Sequence, residues 1–107
     1  MPYASKRVGR FRMEAIGLEN AIMLSVYEEP KLGSLLVSTP VGGRAEVDMV
    51  IPPKKGVDVA SLLSESLSVK SGKIGVLAFS CESPPSGEEA RGLLEGIKLL
   101  VEELGPS

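Results

Sequence analysis

Lys73-Ile74-Gly75-Val76-Leu77-Ala78-Phe79-Ser80-Cys81 is apolar at both alternations from Ile74 to Phe79 and has the length of one strand, although periodicity alone also fits a buried helix. A strand with apolar side chains on both sides belongs inside a sheet with two covered faces, because a half-solvated strand alternates with polar residues. Just beyond it Pro84-Pro85 interrupts regular structure, and Ser86-Gly87-Glu88-Glu89 fits a capping box, the pattern that opens a helix. Ala90, Leu93, Leu94, Ile97, Leu100, Val101 and Leu104 then recur at helical spacing, and Gly105-Pro106 predicts the stop. A central strand leading into an amphipathic helix points to helices layered on a sheet.

Upstream, Val59, Leu62, Leu63 and Leu67 mark a first helix, with Asp58 as its predicted N-cap and an end between Val69 and Gly72. Pro52-Pro53-Lys54-Lys55-Gly56 separates it from a strand in which Ala45, Val47, Met49 and Ile51 point one way and Arg44, Glu46 and Asp48 the other. Three earlier runs have the same period of two. Phe11, Met13 and Ala15 alternate with Arg12 and Glu14; Ile22, Leu24 and Val26 oppose Met23, Ser25 and Tyr27; Leu35 and Val37 oppose Ser34, Leu36 and Ser38. Residues 1–10 carry Lys6, Arg7 and Arg10, no acid and little periodicity, which predicts a flexible basic N-terminal arm before a single α+β domain over 11–105. The expected fold is α+β: an antiparallel sheet of about five to six strands with two helices on one face, in the order β-β-β-β-α-β-α.

Composition narrows function by what is missing. The 107 residues contain no His, Trp or Gln, one Asn (Asn20) and one Cys (Cys81). That excludes an imidazole base, a Ser/His/Asp or Cys/His nucleophile, an intrachain disulfide and a thiolate metal cluster. The carboxylate pairs Glu28/Glu29, Glu46/Asp48, Glu88/Glu89 and Glu102/Glu103 fall in turns, on a wet strand face or at helix ends, where nothing displaces a pKa for acid/base work. No phosphate-binding glycine loop is present. The expectation is a protein with no enzymatic activity and no cofactor or metal. A net charge of −2, and only two Phe and two Tyr, argue against nucleic acid despite the cluster Lys6, Arg7, Arg10 and Arg12. No apolar run is long enough to span a bilayer and the N-terminus has no signal-peptide core, so a cytoplasmic protein without a membrane partner is expected. The poverty in amides resembles thermophile composition.

Two features point to protein contacts. Two helices cover one face of such a sheet and leave the other bare, so the two-sided apolar segments at Ile22, Met23, Leu24, Val76 and Leu77 predict a homodimer through the sheet face. On the last helix Gly92, Gly96 and Leu99 fall outside the apolar stripe and predict a smooth outward partner-binding face, joined by Lys54 and Lys55.

The element order, with Lys31-Leu32-Gly33-Ser34-Leu35-Leu36-Val37 entering a strand, Val50-Ile51-Pro52 ending one, the helix with Ala60-Ser61-Leu62-Leu63, and Ile74-Gly75-Val76-Leu77-Ala78 before a long closing helix, resembles the proteasome assembly chaperones of the third and fourth type. The resemblance covers residues 11–104. It implies a small non-enzymatic dimer that helps proteasome α subunits form their ring, with no catalytic or ligand residues. Other proteasome assembly chaperones carry a hydrophobic-Tyr-any residue C-terminal tail, whereas this chain ends Leu104-Gly105-Pro106-Ser107, so binding through a folded surface is expected. The alternative is a homodimeric domain that binds a small ligand or serves a regulatory system.

Overall fold

A computed structural model describes residues 2–105. Its elements are β1 (Tyr3–Val8), β2 (Phe11–Gly17), β3 (Ala21–Tyr27), β4 (Ser34–Val41), β5 (Arg44–Ile51), α1 (Val57–Ser71), β6 (Ile74–Phe79) and α2 (Gly87–Leu104). The strands form one sheet in the order β1-β2-β3-β6-β4-β5. The two-sided apolar run is therefore a central strand, as its composition demands. It lies parallel to β3 and antiparallel to β4, so the sheet is mixed and only mostly antiparallel.

The expected basic arm is a strand. Tyr3 to Val8 pair with Ile16 to Phe11 across a turn in which Gly9 has φ 57°. The element order becomes β-β-β-β-β-α-β-α, one strand more than the sequence suggests. The expected stop at Gly105-Pro106 lies partly outside the described residues.

Both helices lie on one face. Ala4, Ala15, Leu24, Leu77 and Leu36, which register with one another from β1 to β4, are all buried on that side. Phe11, Met13, Leu63, Leu67, Phe79, Leu93, Ile97 and Leu100 complete the core. Each such side chain contributes about 1.5–3 kcal/mol by leaving water.

Strand β4 orients against simple hydrophobic logic. Its helix-side residues are Ser34, Leu36 and Ser38, which are buried, while Leu35 and Val37 face the uncovered side. The serines are accommodated because their hydroxyls are used: Ser38 Oγ donates to the Ser64 carbonyl at 2.8 Å and Ser34 Oγ to the Phe79 carbonyl at 2.9 Å. Small side chains also let α1 approach closely, for a Cβ at Gly75 would lie 2.6 Å from Ser38 Oγ and 3.2 Å from Leu67 Cδ2. The buried stripe of α1 is correspondingly small: Ala60, Leu63, Ser64, Leu67 and Ser68.

The helix starts differ in kind. Asp58 is not the N-cap of α1; Gly56 is, with φ 69° and no side-chain cap, and Asp58 sits in the first turn where its charge still complements the dipole. The capping box of α2 forms as read, with Glu89 N donating to Ser86 Oγ at 3.1 Å and Ser86 N to Glu89 Oε1 at 2.9 Å. Arg10, from the β1–β2 turn, ties this start to the sheet. Its Nε donates to Glu89 Oε2 at 2.7 Å and its Nη1 to Glu28 Oε1 at 2.9 Å, while the guanidinium lies 4.7 Å from the Phe11 ring centroid.

At the far edge, β5 keeps Val47 half-buried against the core but leaves Met49 and Ile51 exposed. The register shift between Leu35 and Leu36 pairs Leu36 with Met49 and Leu35 with Ile51, so Ile51 leaves the core alternation and joins the uncovered side. Among the described residues no helix is long and apolar enough to cross a membrane.

Candidate functional site

Among the described residues both helices pack on one face of the sheet, and no element packs on the other. Cross-strand register lines up Tyr3, Ile16, Met23, Val76 and Val37 from β1 to β4, ending at Asp48 on β5. One step along the strands, Ser5, Glu14, Ser25, Ala78, Leu35 and Ile51 make a second row. The first row is apolar across five strands, with Tyr3 55% and Met23 44% exposed at its outer half. A shallow depression of about 230 Å³ runs over it, floored by Ile16, Met23, Val76 and Ala78.

One polar cluster interrupts this surface. Glu14 accepts hydrogen bonds from the hydroxyls of Tyr27 and Tyr3, the latter at 2.7 Å, with Arg12 Nε 3.9 Å away. Both tyrosine hydroxyls stabilise the ionised carboxylate, that of Tyr27 most, so Glu14 titrates below the usual carboxylate range and Tyr27 above its usual one. Charge is unevenly spread around the cluster: Arg7 and Arg12 share this face on β1 and β2, and Glu46 and Asp48 on β5.

The residues expected at a dimer interface divide between the faces. Met23 and Val76 lie on the uncovered side, whereas Ile22, Leu24 and Leu77 are buried beneath the helices. The period of two permits nothing else for consecutive strand residues. Tyr3, Ile16, Tyr27, Leu35 and Val37 belong to the uncovered face and were not singled out by sequence; for the last two the signal was the alternation opposite the serines.

Of the partner-binding face expected on α2, Gly92 and Gly96 turn toward the sheet and not outward. Gly96 is buried and a Cβ there would lie 2.6 Å from Met13 Sδ and 3.3 Å from Val8 Cγ2; at Gly92 it would lie 2.9 Å from Val8 Cγ1. Both glycines face β1 and β2, and their lack of a side chain lets the helix approach the sheet. Leu99 remains exposed. Lys54 and Lys55 are exposed in the β5–α1 loop, and Lys55 Nζ donates to the Glu82 carbonyl at 2.7 Å.

Arg10 and the Ser86 backbone N–H hold Glu89 down to about 2, and the Glu82 backbone N–H with Arg10 lowers Glu28, the reverse of what a general acid requires. Burial raises the Cys81 thiol, away from thiolate reactivity. Among the described residues no His, Cys, Asp and Glu side chains gather into a group able to hold a metal.

No protein-family model matches the sequence, and no curated protein matches it in sequence. Comparison of structures does find a likeness. A chain from the crystal structure of a chaperone complex for yeast 20S proteasome assembly superposes with a TM-score of 0.66, covering 98% of this chain and 100% of that one at 17% identity. The fold of this chain thus resembles that of a chain in a proteasome-assembly chaperone complex.

Proposed function

We propose that this chain is a non-enzymatic protein-binding module that acts as a homodimer in proteasome assembly, assisting α subunits to form their ring. The observation that carries the dimer is the orientation of β4. A strand that buries Ser34 and Ser38 under the helices and directs Leu35 and Val37 outward makes physical sense when the outward face is also covered. A second copy fits this face. Rotation by 180° about an axis along the central strands lays the apolar row Tyr3, Ile16, Met23, Val76 and Val37 of one copy over the same row of the other, with strand order reversed. Six strands spaced about 4.8 Å apart and about 20 Å long offer about 500 Å² of face per copy, or about 1,000 Å² in total, near the lower end of stable interfaces. The proteasome role rests on the fold likeness to the yeast assembly chaperone.

Light scattering on the purified chain tests the dimer, with an expected mass of twice 11.3 kDa. Val76→Asp, which places an unpaired charge at the centre of the apolar row, should give a folded monomer. Mixing the chain with proteasome α subunits from the same source should give a complex by size exclusion. A monomeric parent chain refutes the dimer, and absence of any complex refutes the proteasome role.

A further inference from the structure

A second surface meets the uncovered sheet face at Ile51 and extends away from it. The β3–β4 loop, the β5–α1 loop and the chain leaving β6 enclose a trough of about 370 Å³, lined among others by Lys31, Lys54, Lys55, Ser34, Phe79 and Ser80. Three lysines from two loops converge on it in a protein whose net charge is −2. The one acidic side chain at its rim is Glu82. Lys31 and Lys54 take part in no ion pair among the described residues, and Lys55 is held by a neutral carbonyl, which leaves its charge uncompensated. Ser80 is only 6% exposed, yet its hydroxyl enters none of the hydrogen bonds among the described residues and borders the trough. The Ser80 oxygen is not among the buried unpartnered ones, so it opens onto the trough and is free to donate to a ligand there.

The apolar rim selects among anions. Ile51 at 40% exposure, with Pro52 and Pro53, stands beside the lysines. A free phosphate gains nothing from such neighbours, whereas a peptide that carries apolar residues next to carboxylates uses both. Lysines act as point charges suited to carboxylates in varied orientations, and there is no arginine in the lining to fork a phosphate. We propose that this trough binds an acidic segment of a protein partner, with Lys31, Lys54 and Lys55 receiving its carboxylates, the Ser80 hydroxyl donating to one of them, and the rim covering adjacent apolar side chains. The assignment rests on the protein-binding reading above and names the chemistry of its partner.

The test uses the isotope-labelled full chain and a blocked peptide alternating leucine with paired glutamates. Amide signals of Gly33, Ser80 and Cys81 should shift on titration. Replacing the glutamates by glutamine, or the chain's Lys31→Glu with Lys54→Glu, should each weaken binding by about tenfold. Inorganic phosphate at equal concentration should leave those signals in place. Shifts confined elsewhere, equal binding of the glutamine peptide, or the same shifts from phosphate alone would overturn the proposal. Light scattering on the same samples separates the two readings: a monomer that still binds the peptide here refutes the dimer and supports the trough, while a dimer that does not bind it refutes the trough alone.

Discussion

Replacing Gly96 by alanine sets two effects of similar size against each other, and the geometry decides the sign. In an open helix position the change would stabilise by about 1 kcal/mol through helix propensity. Here the new Cβ would lie 2.6 Å from Met13 Sδ, inside van der Waals contact, and Met13 is itself completely buried. Relieving that overlap requires moving a packed core side chain or lifting α2, at about 1–3 kcal/mol. The net expectation is a loss of about 1 kcal/mol, or about 4–8 °C in Tm for a domain of this size. Gly92→Ala should be milder, because its contact is Val8 Cγ1 at 2.9 Å, on a half-buried side chain of an edge strand that can shift. Circular dichroism on heating and urea titration measure both. The mechanism has a signature beyond the sign: Met13→Ala alone should cost about 2–5 kcal/mol, but in that background Gly96→Ala should become favourable, giving a coupling of about 1–2 kcal/mol. A Tm increase for Gly96→Ala in the parent chain would refute the packing of α2 described above.

Ser86→Ala removes the hydroxyl that accepts from Glu89 N, and should cost about 1 kcal/mol with a visible fall in Tm, whereas Ser83→Ala should leave Tm unchanged. Acid stability should follow the lowered carboxylates. Glu89 titrates at about 2 in the folded chain against an ordinary 4.5, so its contribution is complete above the ordinary value and is lost as pH falls toward 2. Arg10→Ala should flatten that acid limb in a pH series of Tm values. Tyr27→Phe should bring Glu14 back toward the ordinary carboxylate range, read by NMR titration of the side chain, because the hydroxyl that most favours its ionised form is gone.

Local signals were the legible ones. The two-sided run Ile74–Phe79 and the Ser86/Glu89 box each declare a structure within a few residues, and both stand where the sequence put them. Strand β1 was hidden because only Ala4 and Val8 reach the core, and Ser5, Lys6 and Arg7 are the polar residues that protect an edge from stray pairing. The faces of α2 were misjudged for a different reason. Gly96 lies three residues after Leu93 and four before Leu100, on the buried arc, but a residue without a side chain adds nothing to an apolar count. At the uncovered face, Leu35 and Val37 were visible as an alternation, and no sequence signal told which side of β4 the helices would take, since that depended on hydroxyl partners in α1 and β6.

The position of β6 has a consequence for how this chain reaches its native state. Strands β1 to β3 and strands β4 and β5 are two antiparallel ribbons that touch in the finished sheet only through β6, which is made after both and after α1. Until residue 74 and its successors emerge, β3 and β4 each present a free inner edge lined with residues such as Leu24 and Leu36 that later become fully covered. Closing the gap brings together segments roughly 50 and 40 residues apart, a non-local step that sets the pace of sheet formation. A nascent chain stalled before β6 therefore holds two sticky half-sheets, and its exposure to aggregation depends on the speed at which one six-residue segment slides between them.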